Sequence, residues 1–108
     1  MHKTDAQLDR VFGALSDRTR RALLQKLADG PAGINELAAP FNMSLPAVSK
    51  HVRVLENAGL VRRCKDGRVN RCTLSAAPLR DVQAWVNFYE AFWDGSFASL
   101  ADHLAKNP

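Results

Sequence analysis

Hydrophobic positions along this chain follow two different periods, and the change from one to the other organises everything else. Within residues 6–15, Leu8, Val11, Phe12 and Leu15 recur at helical spacing and predict a first helix. Ser16 and Asp17 can cap a second helix that carries Ala22, Leu23, Leu24 and Leu27 on one face, and Gly30 and Pro31 stop it. A short third helix is expected over residues 34–41, with Leu37 and Ala38 inward. Asn42, Met43 and Ser44 then make a tight turn. Ser44 caps a fourth helix that tolerates Pro46 in its first turn and runs to about Ala58, with Gly59 as the left-handed exit.

Beyond Gly59 the pattern becomes strand-like. Residues 60–65 and 69–74 read as two strands, and Asp66-Gly67 between them is a strong hairpin signal. Pro78 opens a last helix reaching about Trp93 or beyond. Four helices, one hairpin and one helix make a mainly α fold with a small β-hairpin. A helix, a short turn, a helix and then a hairpin is the order of a winged helix-turn-helix. The chain is expected to be a single such domain over residues 1–108. Residues 34–58 would be the helix-turn-helix, 60–74 the wing and 78–105 a C-terminal dimerisation segment.

Placed on a wheel at about 100° per residue, the fourth helix divides into two faces. Val48, Val52 and Leu55 cluster on one side; Pro46, Ser49, Lys50 and Arg53 cluster on the other. The second face fits a major groove, with Ser49 and Lys50 placed to bond base edges and Arg53, a turn further on, placed for phosphate. His51 falls at the edge of the inward face and reads as a partly buried packing residue. An ordinary solvated helix face is the bland alternative. The preceding turn and the following hairpin favour the groove.

Charge points the same way. Fifteen Lys and Arg against eleven Asp and Glu leave a net charge of +4, which favours a polyanion: nucleic acid first, an anionic membrane surface second. Arg62, Arg63, Lys65, Arg68 and Arg71 crowd the hairpin against one acid, Asp66. They could simply block edge-to-edge strand pairing. As a wing they would track the phosphate backbone or enter the minor groove, with Arg68 best placed to reach DNA and a strong salt dependence to follow.

Six of the chain's aromatics lie between Trp85 and Phe97. Val82, Trp85, Val86, Tyr89, Phe92 and Trp93 form a helical apolar stripe, more than one small monomer has room to bury, so a helix–helix homodimer interface is expected. Intramolecular core and an aromatic ligand pocket are the alternatives.

Other chemistry is sparse. His2, His51 and His103 are scattered, and Cys64 and Cys72 both lie in the wing, so no cofactor or metal site is expected. With Asp66-Gly67 as the whole turn, Lys65 would pair with Arg68 and Val61 with Cys72. The two cysteines would then be neither opposite nor on one face, and a bridge between them would strain. A thiol-responsive repressor using them remains an alternative. No Gly-rich phosphate loop, paired catalytic carboxylates or activated nucleophile suggests an enzyme. The polar start and the lack of an apolar run of roughly 20 residues fit a cytoplasmic protein with reduced thiols. A winged-helix adaptor that binds protein instead of DNA is a further alternative, disfavoured by the basic wing.

The stretch LSDRTRRALL at 15–24 resembles the second-helix signature of the ArsR family of winged-helix repressors. So do NELAAPFNMSLPAVSKHVRVLENAGLV at 35–61 and KDGRVNRCTL at 65–74. The resemblance runs from about residue 7 to residue 94, and 44–61 is its most specific part. It implies a homodimer joined through its first and last helices that binds an imperfect palindrome and usually represses its own operon. Carried over by position, it implies DNA contacts at Leu45, Pro46, Ser49 and Lys50 on the reading helix and at Arg68 on the wing; the reading of the residues themselves adds Ser44 and Arg53 to the expected DNA contacts. Arg18 stands where many members have proline. The metal ligands of sensing members are missing: Leu37, Ala38 and Ala39 replace paired cysteines, and Asp81 has no His two residues on. The aromatic tail is similar to that of the branch without metal ligands, and the effector stays open.

Overall fold

The fold follows the hydrophobic spacing closely. A computed structural model of the chain describes residues 3–94. Helix α1 (Lys3–Leu15) starts three residues earlier than its apolar spacing suggests. It buries Val11 and Ala14, while Phe12 stays on the surface. Helix α2 (Arg18–Leu27) buries Leu23, Leu24 and Leu27, and Asp17 alone is its N-cap, accepting from the Arg20 backbone N–H at 3.1 Å. Ser16 instead closes the preceding helix, its hydroxyl donating to the Gly13 carbonyl at 2.6 Å.

A two-residue strand, β1 (Ala32–Gly33), precedes α3 (Ile34–Ala38) and was not legible in so short a segment. Helix α3 is also shorter than the expected 34–41. Pro40 has no N–H to give the Glu36 carbonyl, and the Lys26 Nζ donates to that oxygen at 2.7 Å instead. One residue on, Phe41 N–H bonds back only three residues, to Ala38.

Helix α4 (Leu45–Asn57) begins at Ser44, whose Oγ accepts from Ala47 N–H at 3.3 Å, and has proline in its first turn. Its exit is a Schellman turn. Leu60 N–H reaches Leu55 O and Gly59 N–H reaches Glu56 O, with Gly59 at φ +77 where a side chain would be strained.

Strands β2 (Val61–Asp66) and β3 (Val69–Leu74) pair antiparallel, and β1 adds to the other edge of β3, giving the order β1-β3-β2. The hairpin register differs from the sequence expectation by two residues. Asp66 pairs with Val69, Lys65 with Asn70 and Val61 with Leu74, so Gly67 and Arg68 form the turn. Gly67 takes φ +66 and no non-glycine residue among those described has positive φ. Glycine first in the loop is the type II′ arrangement, which needs no second positive φ, whereas an Asp-Gly type I′ turn needs two. Since a shift of two keeps every side chain on its face, the sheet's inside and outside are as expected.

The last helix is divided: α5 (Leu79–Phe88) and α6 (Glu90–Asp94) meet at Tyr89. There the backbone bonds tighten to three-residue spacing, Tyr89 to Val86 and Phe92 to Tyr89. Val11, Leu23, Leu37, Val48, Val52, Leu55, Leu60 and Cys72 are the most deeply buried side chains, drawn from α1 to α4 and the sheet into one core. Leu79 and Val82 of α5 pack against its edge.

Candidate nucleic-acid interface

Helix α4 is held by its inner face. Val48, Val52 and Leu55 are completely buried in the common core. That anchoring leaves Leu45, Pro46, Lys50 and Arg53 exposed and Ser49 half-buried on the opposite side. Ser44 is exposed at the helix start, although its hydroxyl is engaged in capping. Leu45 is 48% exposed, which is unusual for a leucine beginning a well-packed helix and leaves it free to meet an apolar base edge such as a thymine methyl. The seven residues expected to touch DNA therefore fall in two groups, six along the outer face and start of α4 and Arg68 in the wing turn.

The wing contributes fewer free cations than its sequence suggests. Facing pairs put Arg63 beside Cys72 on the inner face and Cys64 beside Arg71 on the outer one. Arg63 turns in, and its Nε lies 3.2 Å from Glu56 Oε1 on α4. Arg62, Lys65 and Arg68 are exposed. Between the wing turn and the start of α3 lies a cleft of about 430 Å³, with Arg68 and Asn70 on one wall and Asn35 and Glu36 on the other. Glu36 is not free there, because its Oε1 accepts the Gly33 N–H at 3.1 Å.

A helix-turn-helix domain family matches residues 15–64, the segment from the end of α1 to the first wing strand. Over 53 residues the chain is 51% identical to the HTH-type transcriptional regulator Rv2034 of Mycobacterium tuberculosis, an alignment covering 49% of this chain and 50% of that protein. It is 32% identical to the transcriptional repressor SdpR of Bacillus subtilis over 73% of this chain and 88% of the repressor. A crystal structure of an ArsR family transcriptional regulator superposes with a TM-score of 0.78 at 42% identity, over 87% of this chain and 97% of that one. The chain belongs to the ArsR family of winged helix-turn-helix transcriptional regulators.

This ArsR-family chain is a DNA-binding regulator of transcription and not an enzyme. Its outer aromatic surface is equally well defined. Phe12 of α1 meets Trp85 of α5 edge to face, with ring centroids 5.3 Å apart. Trp85 and Tyr89 lie 5.0 Å apart, and Tyr89 and Phe92 6.1 Å. Trp85, Val86, Tyr89, Phe92 and Trp93 line a shallow, wholly apolar groove of about 420 Å³. Of the six residues in the expected interface stripe, only Val82 turns to the protomer's own core. Phe88 and Phe92 are 74% and 76% exposed. The expected dimerisation segment continues to residue 105, and its part beyond residue 94, with Phe97, lies outside the described residues.

The cysteines of this regulator sit in opposite environments. Cys72 is buried in the core and burial pushes its thiol up, whereas Cys64 is exposed. They are neither paired across the hairpin nor on one sheet face, despite the changed register. Among the described residues no three His, Cys, Asp or Glu side chains converge as a metal site, and no helix is long and apolar enough to cross a membrane. His2 and His103 lie outside the described residues.

Among the contacts that sequence reasoning missed, two made by basic residues involve the reading helix. One is Arg63 with Glu56. The other is Arg20, which faces His51 on the inner side of α4 at 3.3 Å. His51 is half-buried, as expected for a packing residue. The only sequence hint of the Arg20 contact was an arginine three residues after an N-cap, close to the unpaired carbonyls that end the preceding helix.

Proposed function

We propose that this regulator is a homodimeric repressor, a single winged-helix domain acting in the cytoplasm, that reads an imperfect palindrome with α4 and grips the flanking backbone with its wing. The observation that carries this reading is the division of α4, with Val48, Val52 and Leu55 wholly buried beneath an exposed Leu45, Pro46, Lys50 and Arg53 and a half-buried Ser49. Rigid anchoring on one side lets short side chains on the other meet base edges in a fixed register. Arg53 and Arg68 would contact phosphate, and Ser44 lies where the helix start approaches the backbone.

The dimer follows from the apolar groove on α5 and α6 and from Phe12 beside it on α1. A continuous aromatic surface this exposed is costly in water and is covered most economically by the same surface of a second copy, about a two-fold axis. Two reading helices so related would enter successive major grooves about 34 Å apart.

The test is a competition assay of the Ser49→Ala, Lys50→Ala double variant on a palindromic operator and a scrambled duplex. Each lost base contact is expected to cost about 1–3 kcal/mol on the operator and much less on scrambled DNA. Equal losses on both would make these residues phosphate contacts, and no loss on either would remove α4 as the reader.

A further inference from the structure

Three helices meet at one guanidinium. Arg20, in the first turn of α2, donates from Nε to the Ala14 carbonyl at 2.7 Å and from Nη2 to the Gly13 carbonyl at 3.0 Å. Both oxygens belong to the last turn of α1, and that of Gly13 also accepts from the Ser16 hydroxyl at 2.6 Å. Its Nη1 lies 3.3 Å from Nδ1 of His51 on α4. A guanidinium only donates, so a hydrogen bond here needs Nδ1 as the acceptor, with the ring proton on Nε2. Asp17 stands by, with Oδ2 accepting the Arg20 backbone N–H at 3.1 Å and lying 3.9 Å from the same ring nitrogen.

The position of this joint gives it consequence. His51 directly follows Lys50 and is two residues from Ser49, so whatever holds its ring also holds the reading face. On the other side, Gly13 directly follows Phe12, whose ring meets Trp85 of the aromatic groove. Direct contacts thus run from Trp85 through Phe12, the end of α1 and Arg20 to His51. We propose that the Arg20–His51 hydrogen bond is a positioning contact that fixes the reading helix relative to α1, and so relative to the partner copy. This rests on the reading of α4 as the DNA reader and of α1 and α5 as the dimer face. Two half-sites about one helical turn apart accept both helices only at a matching separation. Releasing α4 from α1 therefore weakens binding to the palindrome while leaving charge-driven binding to any duplex in place.

The experiment compares His51→Leu, which removes the acceptor, with His51→Asn, whose side-chain oxygen can stand where Nδ1 stood. Thermal melts of both check that they fold. Operator affinity of His51→Leu should fall about tenfold, within the usual range of coupling between sites. Its affinity for scrambled DNA should hold, and His51→Asn should recover most of the loss. Arg20→Ala combined with His51→Leu should cost no more than the larger single change, because both remove the same bond. Equal operator affinity for all variants, or a uniform loss on both duplexes, overturns the proposal. The ¹⁵N shifts of the His51 ring in the DNA-free protein give an independent reading. They should report a proton on Nε2 in the parent and a redistribution in Arg20→Ala. A proton on Nδ1 in the parent overturns the contact even where no operator is bound, and failure of the parent to prefer a palindrome would count against the DNA reading alone.

Discussion

Arg63 at the base of the wing reaches back to Glu56 on the reading helix, with Nε 3.2 Å from Oε1. The pair joins the end of α4 to the first strand of the wing, so the two candidate DNA elements are linked by an ion pair as well as by the Schellman turn between them. It also separates two arginines that look equivalent in sequence. Arg68, in the turn, should be a phosphate contact, and Arg68→Ala should lower the salt slope of binding by about one unit on all sequences. Arg63→Ala should leave that slope unchanged and cost at most about 1 kcal/mol of stability, as for a partly exposed pair. Filter binding over a salt series, with melts of both variants, checks the contrast.

Phe92 tests the dimer without disturbing the protomer. Its ring is largely exposed, and its centroid lies 6.1 Å from that of Tyr89. Phe92→Glu should therefore keep the helical content of the parent while shifting sedimentation to a monomer at about micromolar concentration. A parent that is already monomeric there would remove the dimer.

The two thiols should differ sharply in reactivity. Cys64 is exposed, while Cys72 is buried and its thiol is pushed up by that burial, leaving little thiolate near neutral pH. Mass spectrometry after brief alkylation of the native protein should find Cys64 modified and Cys72 intact, with both modified after denaturation. An intramolecular disulfide formed under mild oxidant without unfolding would contradict this geometry.

Asp17 should shape the acid limb of stability. The Arg20 backbone N–H bonded to its carboxylate, helped by the Arg20 charge and the Thr19 backbone N–H, holds its carboxyl below the usual aspartate range. A folded pKa that is depressed contributes stability above the unfolded pKa, and that contribution disappears as pH falls through the folded value. Asp17→Asn keeps an acceptor for the cap but has no charge to lose. Its melting temperature should fall less steeply than the parent's from about pH 5 downward. Parallel curves would show that this carboxylate does not contribute to the pH dependence.

Much of this protein is legible in its sequence because the deciding interactions are local. Asp17 and Ser44 each meet an N–H three residues on, Gly59 closes a turn within six residues, and Val48, Val52 and Leu55 share a face through helical spacing alone. The outer face of α4 follows from its inner one. The inside and outside of the wing were equally readable, since strand alternation survives the two-residue change in register.

Tertiary structure decided whatever local pattern leaves degenerate. Hairpin registers two residues apart put the same side chains on the same faces, so alternation cannot choose between them. The turn does, because Gly67 placed first in the loop supplies the one positive φ that it needs. Helix α3 ends where it does because Pro40 leaves a carbonyl that a lysine ten residues upstream of it satisfies. Arg20 and Arg63 read in sequence as two more cations on a basic chain. Only folding brings a guanidinium to the end of another helix, or to a carboxylate seven positions away. Long charged side chains can serve solvent, phosphate or a neighbouring element equally well, and which of these each one serves depends on what the fold places within its reach.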